Sequence, residues 1–282
     1  MPAPPGKTPI LESASAGLRF AVQNLRATLP VAAIGAIIPA CATVSALAPA
    51  IAQNVGLSLL VQIASLLTQA VVYAAFLRTA FAVAGEPAPG GLGRSIGSLL
   101  GAMIAVGFFL LIVCVVLMVV ALIVVGPAVA PYAAQIEAAQ TDPAAQAALV
   151  QDILRNDPAP FAVLAIAFFV IWMTLTSRLY LAAPASVGEG RVRSFETWPW
   201  TKGNMLRIIA ARLVLITPLA IVVAIVQSLL QTILGVGDLA RAFATAYVVH
   251  VATFALMWAA EAGLSAYLYR GLRQAPAQAS AG

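Results

Sequence analysis

The sequence predicts an all-α, polytopic membrane protein with six transmembrane helices arranged as three hairpins, each preceded by a surface amphipathic helix or loop. Three observations carry that prediction. First, 62% of the residues are hydrophobic and 9% are charged, with a mean hydropathy of +0.99. A soluble domain carries roughly a quarter charged residues, so this much apolar surface cannot be hidden in one water-facing globule. Second, the apolar residues come in long runs, and none of the residues from Ala27 to Leu77 is charged. Third, the strip RVRSFETWPWTKGNMLRIIAAR (Arg191 to Arg212) sets Arg191, Arg193, Lys202, Arg207 and Arg212 among Phe195, Trp198 and Trp200. Basic and aromatic residues between apolar runs mark a segment at headgroup depth.

The elements follow in order. Residues 1–11 read as a disordered polar lead. No compact apolar core with a small-residue cleavage site follows them, so no signal peptide is expected. From Glu12 to Thr28, Leu18, Val22 and Leu25 recur at helical spacing while Arg19, Gln23 and Arg26 fall elsewhere, which predicts a helix lying on the bilayer. The uncharged run is long enough for two spans at about twenty residues each. They are placed at 29–52 and 57–83, with a turn at Asn54 and Gly56 and with Pro39 and Pro49 interrupting the first.

After the loop Glu86 to Arg94, a third span covers 96–126. Its entry spaces Gly93, Gly97 and Gly101 for close helix approach. An acidic insertion at 128–159 is expected to be external and helical, with Asp142-Pro143 as N-cap and first helical position and Leu149, Val150, Ile153 and Leu154 resting on the membrane. Further spans follow at 161–183, 205–234 and 242–268, the last two separated by Gly235-Val236-Gly237-Asp238. The whole of 12–272 is thus one membrane domain, and 273–282 reads as a disordered tail. Cys41 and Cys114 lie inside apolar runs and read as small buried hydrophobes.

The cations orient this layout. Thirteen of them, from Lys7 to Arg273, fall on one side, and Arg155 and Arg241 fall on the other. The positive-inside rule then places both termini in the cytoplasm of a bacterial cell, with the chain in the cytoplasmic (inner) membrane. The net charge of +5 is matched to anionic lipid headgroups on the cytoplasmic face, not to nucleic acid. The stretches from Gly17, Gly91 and Ser194 each introduce an outward span, which predicts a loose threefold repeat of surface segment plus hairpin.

Arg178-Leu179-Tyr180-Leu181-Ala182-Ala183-Pro184-Ala185, then Glu189-Gly190, Trp198 and Thr201-Lys202-Gly203-Asn204, resembles the motif of the YciC-like inner-membrane proteins. The membrane domain attached to some glycerophosphoryl diester phosphodiesterases is similar. The chain departs from that pattern at Thr197, where serine is usual, and at Pro199, which disfavours a helix running through Trp198. The resemblance implies an integral cytoplasmic-membrane protein from a family whose biochemical activity is not established. No phosphodiesterase domain accompanies it here, so that activity is not implied.

Candidate functional residues are few. Glu261 is the acid that lies inside a span, roughly 13 Å deeper than Arg270 at 1.5 Å per residue. A carboxylate at that depth needs a partner, and Arg178 and Arg212 enter from the same side. An ion pair of Glu261 with Arg178 or Arg212, fixing helix register, is preferred to a proton-coupling role. Arg191, Arg193, Trp198, Trp200, Lys202 and Asn204 form a candidate lipid-headgroup strip. The single histidine, His250, reads as a hydrogen-bonded packing residue. Gln62 with Gln69, and Gln227 with Gln231, read as glue between helices.

No catalytic set, metal cluster or cofactor site is recognised, and no cofactor is expected. The expected function is non-enzymatic, a lipid- or partner-binding role in envelope organisation. The alternative is a small secondary transporter with Glu261 as coupling or substrate acid.

Overall fold

The computed structural model describes residues 8–45, 47–48, 51, 53–139, 142–234 and 238–279. The lead up to Lys7, Pro49, Thr141, the turn residues Gly235, Val236 and Gly237, and residues 280–282 lie outside them. The described residues form helices and turns, with no strand. In order the α-helices are α1 (Ile10–Gln23), α2 (Leu25–Gly35), α3 (Ile37–Ser45), α4 (Val55–Val83), α5 (Leu92–Val129), α6 (Ala133–Ala138), α7 (Pro143–Asn156), α8 (Pro158–Arg178), α9 (Ala182–Glu189), α10 (Met205–Leu234), α11 (Leu239–Ala252) and α12 (Ala259–Ala279). A π-helical segment, Thr253–Trp258, joins α11 to α12. Six helical stretches are long and apolar enough to cross a membrane: Leu25–Ser45, Val55–Val83, Leu92–Ala138, Pro158–Glu189, Met205–Leu234 and Leu239–Arg273. The chain is a multi-pass, all-α membrane protein.

Local chemistry sets the boundaries. Asn54 caps α4, its Oδ1 accepting from the Leu57 amide at 3.1 Å, as a short polar side chain does for an orphan N–H. Asp142 caps α7 in the same way, accepting from the Ala144 and Ala145 amides at 2.9 and 3.2 Å. The first span is broken between α2 and α3 at Ala36, just before Pro39, which the sequence marks as an interruption. Pro39 offers no N–H to the Gly35 carbonyl four residues back, and its ring crowds that oxygen. The last helix continues to Ala279, beyond Arg273 where the sequence reading began its tail. Residues 274–279 read QAPAQA, in which alanine and glutamine favour a helix while Pro276 opposes one.

Two compact units divide the chain. The first comprises Met1–Ile104 and Ser177–Gly282. Its core gathers Phe76, Phe81, Leu99, Leu181, Ile208, Phe254, Leu264 and Tyr269, all buried. Helix α12 is central: from Ala262 to Tyr269 every residue is buried. Helix α1 packs across it through small residues. A Cβ on Gly17 would stand 2.6 Å from the Ala260 carbonyl oxygen, and one on Gly263 would stand 2.6 Å from Phe20 Cβ. Lipid tails are as apolar as leucine, so helices here gain from close van der Waals approach more than from escaping water. On the expected bilayer face Leu18 and Val22 of α1 and Leu25 of α2 are exposed, while Ser13, Ala14, Gly17, Phe20 and Ala21 of α1 are buried.

The glycine series at the start of α5 behaves differently from expectation. Gly101 packs closely, on Val192, but a Cβ on Gly93 or Gly97 would meet nothing within 4 Å. Cys41 is likewise exposed and Cys114 half-exposed, not buried. In a membrane protein an apolar stretch has two apolar destinations, protein and lipid, and hydrophobicity does not choose between them.

The second unit is Ala105–Thr176. Its long apolar side chains, including Phe108, Ile112, Met118, Ile123, Val163, Ile166 and Phe169, are exposed along their helices. Leu149, Val150, Ile153 and Leu154 of α7 line a groove of about 510 Å³ with Val129, Ile136 and Phe161. Ile153 is buried there, so this face turns partly onto protein. Where a surface helix was expected to open each repeat, one repeat has a separate helix, α1. Residues Phe195–Thr197 and Pro199–Thr201 form short 3-10 turns, and α5 starts directly at Leu92.

Candidate functional site

The site is built in the first unit around Glu261. Helix α10 carries Arg212, and α12 carries Glu261 in its first turn, just after the π-helical segment. Such segments shift the face a helix presents and recur at functional sites. Helix α4 supplies Gln69 and Tyr73, the non-helical residues between α8 and α9 supply Tyr180, and the end of the π segment supplies Trp258.

Arg212 Nε donates to Glu261 Oε1 at 3.0 Å. Its guanidinium carbon also lies 4.6 Å from the centre of the Tyr180 ring, a cation–π contact that occupies the same cation from a second side. The Tyr73 hydroxyl pairs with Ser265 Oγ at 3.3 Å, and the Tyr73 and Trp258 rings meet edge to face, 5.8 Å apart. Glu261 Oε2 is buried and accepts no hydrogen bond from the described residues, and the Tyr180 hydroxyl is in the same condition. That hydroxyl stands beside the Glu261 carboxylate and interacts with it, at a looser geometry than the Arg212 hydrogen bond. Leu66, Gln69, Ala70, Tyr73, Met103, Tyr180, Trp258 and Glu261 together enclose a cleft of about 290 Å³.

Of the two arginines expected near Glu261, Arg212 arrives and Arg178 does not. Arg178 instead donates to the Trp198 carbonyl at 3.4 Å and lies over the Trp198 ring at 5.8 Å. Trp258 was legible, since it lies three residues before Glu261 and thus on a neighbouring helical position. Tyr73 and Tyr180 were not, because they come from other elements.

The headgroup strip is brought together, but much of it is turned inward. Arg193 is bound to Glu189 at 2.6 Å and to Glu196, while Arg191 lies 3.5 Å from Glu189 and 3.8 Å from Glu196. Asn204 is buried and accepts from the Thr8 amide at 2.9 Å, and Trp200 packs on Tyr269 with ring centres 6.0 Å apart. Lys202 and Arg191 are exposed, and Trp198 is half-buried. Two basic side chains therefore face out beside two carboxylates that already balance part of the charge.

Glu189 and Gly190, which the sequence singles out only through the resemblance, act as a junction. Glu189 accepts from Arg193 and from the Tyr269 hydroxyl at 3.2 Å, and the Gly190 carbonyl accepts from Arg94 at 2.8 Å. Glu86 binds Arg270 at 3.0 Å and Arg273 at 3.3 Å. Cations assigned to one side of the membrane by sequence thus meet at one end of this unit. His250 pairs with the Thr43 hydroxyl at 3.0 Å, as its packing role required. Gln69 donates to Ser65 of its own helix at 3.1 Å, and Gln62, Gln227 and Gln231 are exposed, so the glutamines do not tie helices together as expected.

Comparison with protein-family models, with curated proteins and with solved structures finds no match.

Proposed function

We propose that this chain is a non-enzymatic protein of the bacterial cytoplasmic membrane that binds a membrane amphiphile in the cleft beside Glu261, in a role in envelope organisation. The observation that carries the reading is the cleft itself. Its floor holds a buried carboxylate, while Leu66 and Met103 on its wall are exposed in the apolar zone, where lipid has access. A mostly apolar concavity with a few convergent polar groups is the general form of a ligand site. The surface strip is the weaker candidate for headgroups, because Arg193 is already paired twice within the chain. The resemblance to YciC-like proteins over Arg178 to Asn204 supports the cytoplasmic membrane, and the one-sided distribution of cations supports both termini in the cytoplasm.

Retained lipid tests this reading. The protein purified in mild detergent is expected to carry a stoichiometric amphiphile detectable by native mass spectrometry. Met103→Trp, which fills the mouth without touching the ion pair, should lose it. Retention unchanged by that substitution would sink the reading. Orientation is tested separately: a reporter fused after Arg273 should behave as cytoplasmic and one inserted near Thr141 as external, and the reverse would overturn the topology.

A second reading, a small secondary transporter with Glu261 as coupling or substrate acid, draws on one further observation. The break in the first span lies beside the π segment of the last, with Gly35 close to Phe254. Two interrupted helices side by side are the usual build of a mid-membrane transport site. Flux into proteoliposomes that disappears in Glu261→Gln, with binding at the cleft intact, would favour this reading over simple binding.

A further inference from the structure

We propose that the Glu261 cleft selects amines, taking a protonated ammonium group carried on an apolar body. This inference rests on the cleft being the ligand site and adds the chemistry of what enters it.

The polar groups on the wall decide the sign. An ionised carboxylate offers two oxygens and accepts only. Oε1 is taken by Arg212, while Oε2 is buried and makes no close hydrogen bond among the described residues, with the Tyr180 hydroxyl as the protein donor beside the carboxylate. An ammonium group offers that oxygen more than the Tyr180 hydroxyl does, because it brings a positive charge as well as a donor. The Gln69 amide nitrogen gives one of its two N–H groups to Ser65 Oγ, and its amide oxygen is a second acceptor on the wall.

The remaining polar wall is aromatic. Tyr73, Tyr180 and Trp258 present electron-rich rings, and indole is the strongest common partner for a cation. Among the described residues no basic side chain lines the cleft, and Arg212 beside it is held between Glu261 and Tyr180. A phosphate or carboxylate ligand would therefore enter beside a carboxylate with no cation free to receive it. A carboxylate shared by two cations is a known buried arrangement, as in an Arg–Glu–Arg triad.

The apolar body follows from the other walls and the depth. Leu66, Ala70 and Met103 complete the cleft. Glu261 lies roughly 13 Å below the arginine rim at 1.5 Å per residue. A volume of about 290 Å³ stands at the small end of ligand sites, which run from about 300 Å³ upward. One ring or a short chain next to the ammonium group fills it.

The test compares 2-phenylethylamine with 2-phenylethanol, which has nearly the same shape but no charge. Binding is measured by calorimetry on the full chain in nanodiscs, with empty nanodiscs subtracted. The amine is expected to bind about tenfold tighter or more, as a charge-assisted hydrogen bond allows. Trp258→Leu should reduce that preference while leaving the ion pair in place, and Glu261→Gln should abolish it. Where Glu261→Gln does not fold, the pair Glu261→Gln with Arg212→Met removes both charges and should also show no preference.

Amine and alcohol binding within about threefold of each other in the unaltered protein, or a preference that survives loss of the carboxylate, would overturn the inference. Loss of retained amphiphile in Met103→Trp together with no amine preference would leave the cleft a ligand site and sink only the ammonium assignment. No retained amphiphile and no binding of either probe would sink both.

Discussion

Gly17→Ala is expected to lower stability by about 1–3 kcal/mol, the usual penalty for forcing an extra methyl into a filled contact. The added Cβ would lie 2.6 Å from the Ala260 carbonyl oxygen, 2.8 Å from Leu215 Cδ2 and 3.0 Å from Leu264 Cβ. The first of these is backbone on the buried central helix and cannot turn aside. Alanine favours a helix over glycine by about 1 kcal/mol, so the clash must exceed that gain for the sign to hold. At 2.6 Å from a fixed oxygen it does. Gly263→Ala meets Phe20 Cβ at 2.6 Å at the same crossing and should be of similar size. The two should not add, because one displacement of α1 relieves both.

Gly97→Ala is the control. Nothing lies within 4 Å of its added methyl, so the helix preference acts alone and the variant should be neutral or more stable by up to about 1 kcal/mol. Denaturant titration in a mild detergent, followed by circular dichroism, gives both signs. Equal effects at positions 17 and 97 would refute the α1–α12 crossing.

Glu261→Gln should destabilise by about 3–5 kcal/mol, as breaking a buried ion pair does. The substitution leaves the Arg212 guanidinium charged within the bundle, and arginine cannot shed its proton. Its stacking on Tyr180 retains part of its stabilisation but supplies no countercharge. Arg212→Met should cost less, since a lone carboxyl can take up a proton and become neutral.

The double variant is the informative one. With both charges gone and the space filled, it should recover most of the loss, giving a coupling of a few kcal/mol in a double-mutant cycle. Simple additivity of the two losses would show that Arg212 and Glu261 act separately. Arg178→Met is the comparison: it removes an arginine that contacts Trp198 instead, so it should show no coupling with Glu261→Gln.

These expectations divide the legible from the illegible. Glu261 announced itself as an acid inside an apolar run, because burying a charge is costly enough that its presence alone demands a partner. The partner was narrowed to two arginines by depth, which sequence encodes as a count of residues. Choosing between them required the rotation of α10 against α12 and the course of the residues around Trp198. The cleft was less legible. Trp258 shares a helix with Glu261, but Tyr73 and Tyr180 are 188 and 81 positions away in the chain and meet it only through packing. The strip from Arg191 to Asn204 was read correctly as basic and aromatic, yet Glu189 and Glu196 lay in plain view nearby, and their pairing with Arg193 depends on the turn that follows Gly190.

By itself the sequence determined the class of the protein, its six spans, the turn at Asn54, the cap at Asp142 and the break that Pro39 imposes. Each of these is decided within one or two helical turns, by hydropathy, by a side chain reaching its own backbone, or by a missing N–H. Only the tertiary structure decided which apolar faces meet protein and which are left exposed, which arginine neutralises Glu261, and that Gly17 and Gly263 form a close crossing while Gly93 and Gly97 form none. The reason is physical. In a bilayer, burial against a neighbouring helix and exposure to lipid are nearly equal in hydrophobic free energy, so composition cannot separate them. The choice falls to shape and charge complementarity between segments distant in the chain.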